Sequence, residues 1–323
     1  MNKQRGLTIP ELMVALTIGL FVLGATYSVF TMSASSVNAT GQQNQLQESA
    51  RLSLRMLQDD IAQAGFFADL TGADLVTATV ASPNLAGGSD CIGAGLNNSS
   101  YPAAVGHFRT LWAEHVKTDP TLTCITQVVK DSDVLQVKRL DGVPLLAADL
   151  ADNEIYYAVN VNQGQFFQGS DGIPAGISNS RVYRYRHRSY YIRKNAGGIP
   201  SLYMHDLSAA GMATATPLVE GIEAIEYEFG VDINGDSVVD TYLATPDVTD
   251  AIWDQQGLSQ IVSVRVHLLL TSVAPDKSLK TGAVTYDMPS GARSISNDGL
   301  RRKKVSTTVM LRNPIIVNRR DGI

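Results

Sequence analysis

Charge is the first thing missing. From Leu12 to Phe30 there is no Asp, Glu, Lys or Arg, a run of the length needed to span a bilayer. Histidine and cysteine are also scarce, at five and two in 323 residues. No CxxC or Cys/His spacing suggests a zinc site. Nor is there a GxSxG, an HExxH or a phosphate loop, which leaves catalysis without a recognisable centre. The histidines, His107, His115, His187, His205 and His267, are scattered, and His205 beside Asp206 is the adjacent pair of interest. A structural role is the simpler reading for that pair. Basic residues are outnumbered, 26 against 31 acids, for a formal charge of −5, which argues against general nucleic-acid binding.

One acid, Glu11, stands at the mouth of the uncharged run, and the leader before it, MNKQRG, is short and basic. A carboxylate carried to the bilayer centre costs about 2.5–3.5 kcal/mol, so Glu11 calls for a partner. Cutting the chain after Gly6 supplies one. Leu7 becomes a free amino terminus, and Glu11 becomes the fifth residue of the mature chain. The carboxylate of one subunit then neutralises the amine of its neighbour. Two other readings compete. A secretory signal wants a small-x-small cleavage site, which Ala25 and Ser28 do not make. A plain single-pass anchor needs only the apolar length. Lys3 and Arg5 place the leader in the cytoplasm and the rest of the chain outside it. Loss of the leader leaves 24 basic against 31 acidic side chains, a charge of −7.

From Leu12 one long helix is expected, to about Ala64. Its first part is apolar all round. The second is amphipathic, because Leu46, Ala50, Leu54, Leu57, Ile61 and Ala64 recur at spacings of three and four and line one face. Pro10 is tolerated in the first turn. Gly24 and Gly41 are points where the rod bends or melts, and Gly65 is placed as its C-cap. Residues 66–130 read as loops, with Phe108 and Trp112 as anchors and a short helix around 107–117. Strands are expected at Ser132–Leu140, Ile155–Val161, Arg181–Arg193, Leu202–Met204, Gly221–Val231, Leu258–Ser272 and Lys304–Arg312. In the third, Tyr183 and Tyr185 share one face and Arg184 and Arg186 the other. A half-solvated strand therefore explains RVYRYRHRSYYIR better than base stacking does. The fold class is α+β: a long N-terminal helix, transmembrane and then amphipathic, packed on a mainly antiparallel β-sheet with loop insertions. The divisions are 1–6 leader, 7–30 transmembrane and assembly helix, 31–65 amphipathic helix and 66–323 periplasmic β-rich globular domain.

Two further features invite chemistry. Cys91 and Cys124 are an even pair in an exported chain. A disulfide between them closes a loop of about thirty residues and contributes roughly 3–4 kcal/mol; two buried thiols are the alternative. Asp232, Asn234, Asp236 and Asp240 stand at relative positions 1, 3, 5 and 9 of DINGDSVVD. Alternating oxygen ligands around a Gly-containing turn suit Ca²⁺. Gly235 stands at position four, however, ahead of the glycine at position six that an EF-hand loop carries, and Leu243 occupies position twelve. The competing reading is an acidic Asn-Gly hairpin turn. The basic run Arg301 to Lys304 reads as a solvated turn.

The basic leader, Gly6, the hydrophobic Leu7 and Glu11 at mature position five resemble the class III signal of type IV prepilins and of type II secretion pseudopilins. With ARLSLRMLQDDIAQAGFF in the helix, the acidic late turn and the C-terminal RRKKVSTTVMLRN, the chain resembles the PilW family of type IV pilus minor pilins. The resemblance implies cleavage between Gly6 and Leu7 by a prepilin peptidase and N-methylation of Leu7. It also implies a non-enzymatic subunit that primes pilus assembly at or near the tip with other minor pilins, the major pilin and a tip adhesin. Pseudopilins of type II secretion look similar. A membrane-tethered periplasmic binding module is the reading from another class.

Overall fold

A computed structural model describes residues 8–73, 75, 80–81, 90–212, 215–276, 279, 282–296 and 298–313. The helix α1 runs unbroken over Ile9–Ile61, about 80 Å at 1.5 Å per residue. Gly24 and Gly41 do not interrupt it. Its first part, down to Val37, lies exposed, with Phe21 80% and Phe30 71% accessible. The amphipathic stripe docks instead: Leu46, Ala50, Leu57 and Ile61 are buried, and Leu54 packs against the same core. The helix stops three residues earlier than the periodicity predicts. A turn over 62–65 ends at Gly65, whose φ of +74° favours glycine. That turn swings Phe66 and Phe67 away from the helix axis.

Among the described residues fifteen strands follow: β1 Val80–Ala81, β2 Leu111–Val116, β3 Ser132–Leu140, β4 Ile155–Val159, β5 Gly164–Gln168, β6 Arg181–Lys194, β7 Pro200–Ser208, β8 Gly211–Met212, β9 Thr216–Glu220, β10 Ile222–Asp232, β11 Thr241–Ala244, β12 Gln260–Thr271, β13 Val284–Met288, β14 Gly291–Ile295 and β15 Arg302–Met310. A one-turn helix, α2, spans Asp250–Trp253. The segment expected as a short helix near 107–117 is the strand β2. Leu111, Trp112, Ala113 and Val116 are all buried there, and cross-strand pairing with β3 wins over a weak local helical preference.

β6 is the spine of a nine-stranded sheet. β3 pairs along one side of it, and β4 and β7 follow one another along the other. The sheet is antiparallel apart from the short β1–β5 pair. Tyr183 and Tyr185 are buried and Arg184 and Arg186 half-buried, as the alternation predicts. A second, four-stranded antiparallel sheet has the order β11-β10-β12-β15. β13 and β14 form a separate hairpin, with Met288 packed on Ala224 and Leu269.

Helix α1 packs on β12, β15 and β9. Alternate residues of β12, Val264, Val266, Leu268 and Leu270, share one core with the helix stripe. A second core gathers aromatic rings around Phe67, with Phe108, Tyr157, Phe166 and Tyr185 within 6.5 Å, mostly edge to face. The turn at Gly65 thus lets one chain segment serve both cores.

Candidate functional site

The helix start is built from three residues. Thr8 is the N-cap in extended conformation, and Pro10 lies in the first turn. Glu11 reaches back to accept the Thr8 amide at 2.9 Å and the Thr8 hydroxyl at 2.7 Å. In the single chain this carboxylate closes its own helix end, satisfying an amide that has no intrahelical partner. Beyond it Leu12, Leu16, Leu20, Phe21 and Leu23 are all more than half exposed. An apolar surface of that size marks contact with lipid or other subunits. By length and composition this helix is able to cross a membrane. Gly6 and Leu7, the expected cleavage pair, lie outside the described residues.

At its other end the helix is held by an ionic hub that the sequence reading passed over. Asp60 is 2% exposed on the docked face. Its carboxylate accepts Arg139 Nε at 3.0 Å and Nη2 at 2.6 Å, Arg188 Nη1 at 2.9 Å, and the Tyr190 hydroxyl. Burial pushes the Asp60 pKa up, but Arg188 and Arg139 outweigh it and hold it below the ordinary value. The network continues through Asp141 and Asp206, which bridge Arg139, Arg186 and Arg188. A signal was available: Asp60 falls between Leu57, Ile61 and Ala64 on the apolar stripe, where an acid needs a partner.

The loop after β1 is pinned by a disulfide between Cys91 and Cys124. Beneath it runs a buried polar layer. Asp90 accepts the Cys91 amide at 2.7 Å and the Ser100 amide at 3.0 Å, Ser100 Oγ lies 2.8 Å from His187 Nδ1, and Gln136 Nε2 lies 2.8 Å from His187 Nε2. Arg109 is held by Asp250 and Asp254 at 2.8 and 2.6 Å. Phe108 and Trp112 are buried anchors, as expected.

Asp232, Asn234, Asp236 and Asp240 come together in the β10–β11 turn. There their oxygens serve the loop's own backbone. Asp232 accepts the amides of Asn234, Gly235 and Ser237 at 3.1, 2.7 and 2.6 Å. Asn234 accepts Asp236, Asp236 accepts Val238, and Asp240 accepts Ile233. Gly235 takes a φ of +84°. These are side-chain-closed turns. Among the described residues no three His, Cys, Asp or Glu side chains converge to hold a metal ion, so as folded the loop is not gathered around a cation.

The histidines are absorbed by the fold. His205 stacks on Tyr191 at 5.6 Å, while Asp206 turns to Arg186 and Arg188. His267 on β12 meets Glu228 at 2.7 Å. The basic run expected as a solvated turn belongs to β15 for most of its length, and its guanidinium charges are matched. Arg301 pairs with Asp276 at 2.6 Å, and Arg302 with Glu223 and Asp298 at 2.5 and 2.6 Å. The acids that match the two arginines lie on β10 and in loops, partners of which Asp276 and Glu223 are remote in the linear sequence.

Residues 1–27 match the family described as Prokaryotic N-terminal methylation motif, and residues 189–313 match Type IV Pilus-assembly protein W. The first match covers the capped start of α1. The second runs from within β6 to the end of β15 and includes the sheet that carries the helix. No curated protein and no solved structure matches the chain. The exposed apolar helix with one acid at its start fits the first match, and the sheets that anchor it lie in the segment similar to Type IV Pilus-assembly protein W, so the two matches and the fold together support a type IV pilus-associated pilin.

Proposed function

We propose that this minor pilin helps prime assembly of the type IV pilus at or near its tip and has no catalytic activity. The observation that carries the reading is the pairing of Glu11 with an otherwise uncharged and exposed first part of the helix, as far as Val37. After cleavage between Gly6 and Leu7, and methylation of Leu7, the new amine of one subunit meets Glu11 of the next. Glu11 exchanges its Thr8 contacts for a charged donor, a stronger bond in a low-dielectric setting. The exposed helix leaves the inner membrane and enters a bundle of other pilin helices. The globular domain is periplasmic at first and then part of the extracellular filament. There it offers its surface to other minor pilins, the major pilin and a tip adhesin. Calcium binding by Asp232, Asn234, Asp236 and Asp240 belongs to the same proposal, as a closing of the turn that trades amide contacts for a cation.

The test is N-terminal sequencing of the protein from strains with and without prepilin peptidase. Processing places Leu7 first only where the peptidase is present; material that begins at Met1 in both rejects the reading. A deletion strain that loses twitching and keeps protein secretion separates a pilus subunit from a type II secretion pseudopilin.

A further inference from the structure

Lys138, in the middle of β3, has a side chain fully shielded from solvent and, among the described residues, forms no ion pair. A buried lysine without a counter-ion requires an explanation. Its Nζ donates to the Arg109 carbonyl at 2.8 Å and to Asn98 Oδ1 at 3.0 Å, and it lies 4.5 Å from the centre of the Phe108 ring. Asn98 is itself 2% exposed. The loop is shaped around its carboxamide: Asn98 Nδ2 donates to the Ala94 carbonyl at 3.0 Å, and the Gly93 amide donates to the Asn98 carbonyl at 3.0 Å. A Cβ on Gly93 would stand 2.4 Å from Asn98 Nδ2, so only glycine leaves room for that nitrogen.

We propose that Lys138 and Asn98 become joined by an intramolecular isopeptide bond. Lys138 Nζ attacks Asn98 Cγ, the Nζ–Cγ bond forms and the Cγ–Nδ2 bond breaks. One proton passes from Nζ to Nδ2, which departs as ammonia. No oxidant, reductant or water is consumed. Desolvation, opposed by the charge of Asp90 and aided by that of Arg109, holds the amine well below its ordinary pKa, which favours the neutral form whose lone pair attacks. Nζ is held 3.0 Å from Oδ1 of the carboxamide it attacks, in a position closed to solvent, and holding two reactants beside one another removes the entropic cost of bringing them together. Asp90 is the carboxylate whose charge bears on Lys138, and a nearby negative charge steadies the ammonium formed on addition. The product ties the loop that carries Cys91 to the middle of β3 and, unlike the disulfide, survives reduction.

The experiment is mass spectrometry of the reduced, detergent-purified full chain, followed by tryptic mapping. The expected result is an intact mass one ammonia below that of the processed sequence, no cleavage after Lys138, and a branched peptide joining Lys138 to Asn98. A Lys138→Met chain regains the missing ammonia. Cleavage after Lys138 in the wild-type chain, with Asn98 recovered in a linear peptide, overturns the proposal and leaves a hydrogen bond alone.

Discussion

The hydroxyl of Ser132 lies 3.1 Å from the amide nitrogen and 3.1 Å from the carbonyl oxygen of Ile225, donating to one and accepting from the other. One side chain at the start of β3 thus serves the β10 edge as a neighbouring strand would. Its neighbour continues the splice. Asp133 accepts the Tyr227 amide at 2.8 Å and the Thr245 hydroxyl, and meets His115 Nδ1 at 2.7 Å. The two large sheets are therefore joined by side chains where backbone pairing stops.

Ser132→Ala removes both bonds and leaves a buried amide and carbonyl without partners. Each unsatisfied group costs about 1–3 kcal/mol, so the variant is expected to lose roughly 2–4 kcal/mol in denaturant unfolding. A loss under about 0.5 kcal/mol, within the range of ordinary surface substitutions, would show that the splice contributes nothing.

Asp60→Ala removes the buried carboxylate that Arg139 and Arg188 share and leaves them, among the described residues, only Asp141 and Asp206, so the loss is expected to approach the roughly 3–5 kcal/mol of a broken buried pair. The pH dependence has a definite sign. The folded-state pKa of Asp60 lies below its unfolded value of 3.8. Its stabilising contribution is therefore complete above that value and lost as pH falls through the folded pKa. Acid unfolding below about pH 4 should be shallower in Asp60→Asn than in the wild-type chain. Identical acid profiles would remove Asp60 from the account of how the helix is anchored.

Glu11→Ala should leave the unfolding of the globular domain unchanged, because Glu11 is exposed and, among the described residues, bonds to Thr8 at the far end of the helix from that domain. Surface piliation and twitching should fall sharply. Normal fibres from that strain would sink the assembly role of this carboxylate.

Cys91→Ser opens a loop of 33 residues and is expected to destabilise the domain by roughly 3–4 kcal/mol. Comparing the melting of oxidised and reduced wild-type chains checks the same quantity without a substitution.

Calcium binding by the β10–β11 turn predicts a higher melting temperature in millimolar Ca²⁺, by a few degrees for a gain of about 1–2 kcal/mol. Asp236→Asn should abolish the rise, since Asp236 sits at the turn and only its Asn234 and Val238 contacts hold it. Equal melting with Ca²⁺ and with chelator rejects the site.

The alternation of β3 and β6 and the 3.6-residue stripe of α1 were legible because local periodicity already records which face meets the core. The short strands β5, β9 and β11 were not. They are short, and the sheet rather than their own composition makes them strands. The Lys138–Asn98 contact was equally hidden, since forty residues of chain separate its partners and neither carries a motif.

Sequence by itself determined the apolar helix with one acid at its mouth, and with it the class of protein, because charge and hydropathy act residue by residue. Tertiary structure decided what the remaining charges do. Asp60, Lys138 and Arg302 are ordinary polar residues in the linear chain. Burial and the approach of distant partners turn them into an anchor, an amine whose pKa is lowered and a matched ion pair, because the energy of a charge depends on the dielectric and counter-charges that folding brings to it.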